Sequence, residues 1–520
     1  MEAPVTAPET PVTPGPSLGD LAERVARTHP SQIALAAMGT GARITYETLA
    51  DVIDDTAIAL SGNGFDAGDV IGLRTGNNLG YVVGLLGAAR AGLVTVPLDP
   101  ALPHAEQQIR LQRVGARAVL TDQPIATADP CPDVLIDVSA EEPTRPRSQV
   151  RGRPAALSEP PVAGLAPSDA LVMFTSGTTA MPKMVPWTHD GLTAAMANVV
   201  GAYQLGPADA TVAVMPLFHG HGLVAGLLAT LSSAGCVGLP TAGRFSAQHF
   251  FDELRFVDAT WFTAVPTIHQ ILLNTASSSD ATDTRLRFLR SCSAPLPPEV
   301  ARRIEETFGS LVLPAYGMTE ATHQACAVTA SADVETRLRT VGEPTGAELR
   351  IADAAGVACP PGVQGEVWLR GPAVTRGYLN NPQATAETFV DGWLRTGDLG
   401  SVGPSGVLTL DGRIKNIINR GGEKISPEHV EDALLAHPDI TQAAVFGMPD
   451  PKYGEQVVAA VILRADAHWD DDALQRFCAS SLARYEVPAR FLRVDELPVT
   501  PKGSVDRNRL VEAFGSPGRP

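Results

Sequence analysis

A chain of 520 residues, 44% hydrophobic and 19% charged, is long enough for several domain-sized cores and has the composition of a soluble globular enzyme. Its formal net charge of −17 excludes a general binder of nucleic acids or anionic membranes, so an anionic ligand must be met by local positive groups. The six cysteines, Cys131, Cys236, Cys292, Cys326, Cys359 and Cys478, follow no C-x-x-C or metal-ligand spacing and read as reduced thiols of a cytoplasmic protein.

Residues 1–16, MEAPVTAPETPVTPGP, carry neither a basic n-region nor an apolar h-region and read as a disordered leader. Between 45 and 60, Leu49, Val52, Ile53, Ala57 and Leu60 recur at helical spacing, and DVIGLRT follows as a strand. A second helix is predicted from about Leu79 to Arg90, with GLVTVPLD as the next strand; strand, helix, strand implies parallel pairing. Leu171 to Phe174 form a short buried strand that opens into TSGTTAMPK. The alternation continues through TVAVMPLFH, GCVGLP, ATWFTAVPT, LRFLRSCSAPL and LVLPAYGMTE, a large α/β body. Several of its strands end in polar or Gly/Pro turns, where ligands collect in open α/β sheets. The apolar run GLVAGLLATLSSAGCVGLP is broken by Ser232, Ser233 and glycines and reads as a buried helix leading into a strand, so no membrane span is predicted. After Asp398 come a short strand, a basic Gly-containing loop, a helix opened by Ser426 and Pro427, the strands ITQAAVFGMPD and QVVAAVILRAD, and helices near 471–483 and 506–513. This is a compact unit of roughly 110 residues, with its boundary near Asp411 to Lys415.

A strand followed by a Gly/Ser/Thr loop presents backbone N–H groups and hydroxyls to phosphate. The loop is not a P-loop, which needs a Lys followed by Ser or Thr at a helix start, whereas Lys183 is followed by Met184 and Val185. On these residues alone a surface turn of small polar residues explains it equally well.

Taken together, FTSGTTAMPK, PLFHGHGL, AYGMTEATH, GWLRTGDLG, DGRIKNIINRGGEKISPEHVE and LPVTPKGSVDR resemble, in order and spacing, the adenylate-forming acyl-CoA synthetase superfamily over nearly the whole chain. The stretch from PLFHGHGL to YGMTEATH is most similar to oxalate-CoA ligases. The resemblance implies a large N-terminal domain over 17–412, built of stacked α/β sheets plus a β-barrel subdomain, and a small mobile α/β domain over 413–520. It implies ATP, Mg2+ and CoA, a small carboxylate as substrate, no nucleic acid, and a monomer or homodimer. Thr175, Ser176, Gly177, Thr178, Thr179 and Lys183 match the loop that grips the β- and γ-phosphates. Ala315, Tyr316 and Gly317 match the nucleotide-binding turn, where Tyr316 stacks on adenine, Thr319 donates to the α-phosphate and Glu320 holds Mg2+. Ser293, Ala294 and Pro295 meet the adenine edge, and Asp398 with Arg413 holds the ribose. Lys415 matches the hinge between domains, and Gly421, Gly422 and Glu423 line the pantetheine channel.

Specificity is read from the polar residues around these motifs. Oxalate is short and doubly anionic and needs donors or positive charge, whereas a fatty acid needs an apolar tunnel. His219, His221, Ser293 and His323 supply such donors, with His219 also near the reacting groups; His269 reads as a core residue, and Arg244 either touches CoA phosphate or is a solvated surface group. Two departures stand out. Ala180 and Met184 replace usual glycines of the phosphate loop, and Ser504 replaces the Lys that reaches the α-phosphate, with Lys502 two residues earlier as a candidate substitute. Two other readings therefore stay open: a medium- or long-chain acyl-CoA synthetase, and an adenylate-binding protein with impaired adenylation.

Overall fold

The computed structural model describes residues 16–124, 131–139, 147–155, 162–175, 182–276, 284–464, 467–499 and 505–514. Most of the expected leader lies outside them, as do Ser176, Gly177, Thr178, Thr179, Lys502 and Ser504. The first long helix, Tyr46–Gly62, starts where the Thr45 hydroxyl accepts the Thr48 amide and so satisfies one orphan donor of the first turn. Its apolar stripe is buried against the helix Leu79–Arg90, whose bounds match the sequence expectation. Asn78 caps that second helix, and every residue from Leu79 to Ala89 is buried, as an all-round apolar helix requires.

The seven-stranded sheet runs Arg147–Arg151, Asp133–Ser139, Ala116–Thr121, Val70–Arg74, Val94–Pro97, Asp169–Phe174 and Met184–Thr188. Its five central strands are parallel and its two edge pairings antiparallel. Met184 is thus a buried strand residue at 2% exposure and packs in the core. A four-stranded sheet orders Ala210–Val212, Cys236–Leu239, Ile33–Ala37 and Ala42–Thr45. Between its first two strands lies the apolar run of concern for membranes, here a π-helical stretch His221–Leu228 continued by the short helix Ala229–Ser232. No helix among the described residues is long and apolar enough to cross a membrane.

The third sheet positions the site. Trp261–Ala264, Phe288–Ser291 and Leu311–Met318 are parallel, and His323–Ala327 and Glu343–Pro344 continue it antiparallel. The strands Glu348–Ala352, Gly365–Arg370, Trp393–Val402, Phe389–Val390 and Leu408–Arg413 pair antiparallel throughout and occupy the place of the expected barrel subdomain. Arg413 ends that sheet, Ile414–Asn416 make one 3-10 turn, and Ile418 begins the last sheet. There Glu423–Ile425, Ile418–Arg420, Gly454–Leu463 and Ile440–Asp450 pair in that order, with Arg490–Arg493 beside Gly454–Leu463. The helices Pro427–Leu435 and Asp471–Ala479 cover it, giving this unit its own core around Ile425, Val430, Leu434, Val445 and Leu474.

Candidate active site

One hairpin carries several of the expected site residues. The strand Leu311–Met318 leads through the turn Thr319–Ala321 into His323–Ala327, with Met318 opposite His323 and Gly317 opposite Gln324. The approach is so close that a Cβ on Gly317 would lie 1.4 Å from the His323 carbonyl oxygen, so only glycine fits. Thr322 and His323 hold φ of 46° and 85°, a left-handed conformation unusual for a β-branched residue, and the Thr322 hydroxyl donates to the Ala373 carbonyl at 2.6 Å. Trp187 Nε1 donates to the Thr319 carbonyl at 2.8 Å and steadies the turn from below.

The hairpin brings His323 to His221. The two rings stack at 5.2 Å, and His221 Nδ1 lies 3.1 Å from Ser293 Oγ. Ser293 has φ 73° in the turn after Phe288–Ser291 and is exposed, as is Pro295; Ala294 is half-buried. Three of the four proposed substrate residues therefore meet. His219 lies two residues before His221, half-buried with its ring against Phe218 at 4.6 Å. Asn77 fixes the segment leading to it, donating to the Ala213 and Met215 carbonyls and accepting the Leu217 amide. Sequence reasoning passed over two residues here. Arg290, fully buried, lies 3.0 Å from His323 Nε2, and Thr263 Oγ1 lies 2.5 Å from His221 Nε2. An arginine in the middle of an otherwise apolar buried strand, FLRS, was the available signal.

Burial, reinforced by the Arg290 charge, holds His221 and His323 well below the ordinary imidazole range, and burial pushes His269 down to about 4. His269 is wholly buried beside Phe262, as a core histidine should be. All three stay neutral in the folded chain, whereas an unfolded chain takes up protons below about pH 6.5. The unfolded state then binds more protons, so stability is lost as pH falls below about 6.5, by about 1.4 kcal/mol per histidine at pH 5.5. Glu431 and Asp432, raised by burial to about 7 and about 6, act in the opposite sense over the same range, so the urea midpoint should fall less steeply from pH 7 to pH 5.5 in His269→Gln than in the parent; identical slopes contradict this assignment.

The nucleotide residues form a second group. Tyr316 donates to Asp398 Oδ2 at 2.5 Å and Arg413 Nε pairs with Asp398 Oδ1 at 2.7 Å, so both carboxylate oxygens are held. Burial raises the Asp398 carboxyl above its usual range against the pull of Arg413, and burial likewise raises the Tyr316 phenol. Ala315, buried, sits one residue before this tyrosine. A third group lies across the turn: Glu320 Oε1 accepts from the Tyr378 hydroxyl at 2.9 Å, and Lys183 Nζ stands 4.2 Å from the Tyr378 ring centroid. Glu320 Oε2 makes no hydrogen bond among the described residues, which leaves one oxygen for Mg2+, an ion that binds through one or two carboxylates plus substrate phosphates. The Thr175 amide donates to the Lys183 carbonyl at 3.0 Å, and the buried Thr175 hydroxyl has no hydrogen-bond partner among the described residues.

Gly421 and Gly422, with φ of 63° and 97°, form the two-residue turn of the hairpin that pairs Arg420 with Glu423, the geometry that demands glycine. Lys415 lies in the turn between the last two sheets, where burial lowers its basicity. Arg244 is exposed in the turn after Cys236–Leu239, and no hydrogen bond or ion pair among the described residues joins it to these groups.

Fold and site together define a nucleotide-dependent, adenylate-forming enzyme, and comparison with known proteins agrees. The chain belongs to the AMP-binding enzyme family, whose model matches residues 22–379, and the C-terminal domain model of the same family matches 429–504. It is 41% identical over 480 residues to the probable CoA ligase CCL9 of Humulus lupulus, covering 91% of each chain. It is 39% identical over 518 residues to the oxalate–CoA ligase of Arabidopsis thaliana, covering 96% of this chain and 98% of that one. Among solved structures, ATP-bound MatB from Rhodopseudomonas palustris superposes with a TM-score of 0.83 at 26% identity, covering 96% of this chain and 99% of that one.

Proposed function

We propose that this chain is a cytoplasmic, ATP-dependent and AMP-forming ligase that activates oxalate and passes it to CoA, giving oxalyl-CoA. The observation that carries the reading is the cluster of His221, Ser293 and His323 beside the adenylate turn. Polar side chains over a buried guanidinium suit a short dianion. The full-length likeness to an oxalate–CoA ligase points the same way.

In the first half-reaction an oxalate oxygen attacks the α-phosphorus of ATP, an O–P bond forms, and the α–β anhydride bond breaks to release pyrophosphate. Thr175 and Lys183, with the loop between them, hold the departing phosphates, and Thr319 steadies the α-phosphate. Glu320 would hold Mg2+, which when bound would offset the triphosphate charge. Tyr316 stacks on adenine while its hydroxyl, with Arg413, aligns Asp398 for the ribose diol. Ser293, Ala294 and Pro295 meet the adenine edge. In the second half-reaction the CoA thiolate attacks the acyl carbon and AMP leaves. Residues 413–520 turn about Lys415 between the halves and bring Gly421, Gly422 and Glu423 to the pantetheine arm, with Arg244 left to a CoA phosphate.

Pyrophosphate release with ATP, Mg2+ and CoA, measured over oxalate, malonate, acetate and octanoate, tests the reading. Oxalate should give the highest kcat/KM; octanoate turning over faster than oxalate would sink it.

A further inference from the structure

Arg290 is wholly buried, and no carboxylate pairs with it among the described residues. It donates instead to four neutral acceptors: the Tyr203 hydroxyl at 3.1 Å, and Gln324 Oε1, Thr263 Oγ1 and His323 Nε2 at 3.0 Å each. A buried charge without a counter-ion is costly, and a guanidinium stays protonated and has donors only. Two consequences follow from donor counting. His323 Nε2 must accept, so the proton of this neutral ring sits on Nδ1, which makes no hydrogen bond within the described chain and is not sealed from solvent. Thr263 Oγ1 already accepts from Arg290, and the acceptor within reach of its own proton is His221 Nε2. Leaving that proton unpaired in a buried site forfeits a hydrogen bond, so His221 also carries its proton on Nδ1, where it donates to Ser293 Oγ. The exposed Ser293 hydroxyl then keeps its proton for another acceptor.

We propose that Arg290 is the positioning residue of the substrate pocket: it fixes both histidines as Nδ1–H tautomers, so that His323 Nδ1–H and the Ser293 hydroxyl face the second carboxylate of a dianionic substrate, which supplies the missing counter-charge. The identity of that anion rests on the oxalate reading; the tautomers do not. His221 is faced by Arg290 from the central strand, His323, His269 from Pro266–Thr275 and His219, and His323 by Arg290, which in turn meets Cys292 and, from the helix His189–Tyr203, Tyr203.

The first test uses the intact enzyme carrying 15N-labelled histidine, with long-range 1H–15N spectra assigned through His221→Gln and His323→Gln. Both rings should show the Nδ1–H tautomer in the absence of substrate; an Nε2–H tautomer at His323 overturns the proposal whatever the substrate proves to be. The second test is Arg290→Gln. Its kcat/KM for oxalate should fall about 30-fold or more while that for acetate changes by less than about 3-fold. Burial, the larger cause of the low His323 basicity, remains in this variant, so the expected signature is spectroscopic: the His323 ring is no longer confined to the Nδ1–H tautomer. Equal losses for both acids with His323 still wholly Nδ1–H would reduce Arg290 to a structural role. If Arg290→Gln fails to fold, the tautomer spectra decide; if the tautomers hold but oxalate is not preferred, the substrate reading fails and Arg290 keeps its place.

Discussion

Changing Ser504 to Lys should raise the rate of acyl-adenylate formation by at least about tenfold and leave thiolation of a supplied acyl-adenylate unchanged. Adenylation drives a carboxylate against a negatively charged phosphate, and a cation between them is worth more in the transition state than in the separated ground state. Removing one such preorganised group costs about 10²–10³-fold in rate, roughly 3–4 kcal/mol. On the proposed correspondence of motifs, Ser504 offers a hydroxyl where the family carries the charge. Among the described residues on either side, Val499 bridges to Val505, and Arg507 pairs with Glu431 at 2.7 Å and Glu428 at 3.3 Å. Single-turnover formation of adenylate and of thioester, measured separately, checks this. No gain in adenylation with Ser504→Lys, together with its loss in Lys502→Ala, would make Lys502 the working cation.

Gly317→Ala should cost about 3 kcal/mol of stability and about 100-fold in oxalate-dependent kcat/KM. The added methyl meets the His323 carbonyl at 1.4 Å and the Gln324 Cα at 3.0 Å, both main-chain atoms with no rotamer to yield. The hairpin must part, which moves Tyr316 and His323 together, and a misplacement of about 1 Å is enough to cost 100-fold. Gly201→Ala is the control: it lies in the helix His189–Tyr203 with nothing within 4 Å of the new methyl, and should stabilise by about 0.5–1 kcal/mol. A Gly317→Ala enzyme with an unchanged unfolding midpoint and unchanged kcat/KM contradicts the close approach described here.

Much of this was legible in the chain before its structure. The helix Leu79–Arg90 announces itself through an Asn cap and an unbroken apolar run, and Gly421–Gly422 through a pair that only a tight turn tolerates. Motif order located the strand ends where Tyr316, Glu320, Ser293 and His323 stand. What sequence periodicity could not convey was depth. Arg290 and Thr263 lie on neighbouring parallel strands 27 residues apart, and only their pairing shows that one guanidinium reaches both a threonine and a histidine. The π-helical turns at His221–Leu228 were equally hidden, because an apolar run looks the same whatever the winding. Gly317 has no positive φ to mark it, and its requirement comes from a strand that returns at His323.

The central claim, that a CoA ligase here makes a thioester of a short dicarboxylate, is tested most directly by identifying the product. The enzyme and its Ser504→Lys variant are incubated with ATP, Mg2+, CoA and an equimolar mixture of 13C-labelled oxalate, acetate and octanoate, and CoA thioesters are weighed by mass spectrometry alongside the nucleotide formed. Labelled oxalyl-CoA should dominate, one AMP appearing for each thioester, with more of both from the variant. Octanoyl-CoA or acetyl-CoA as the main product, or ADP in place of AMP, would contradict the account.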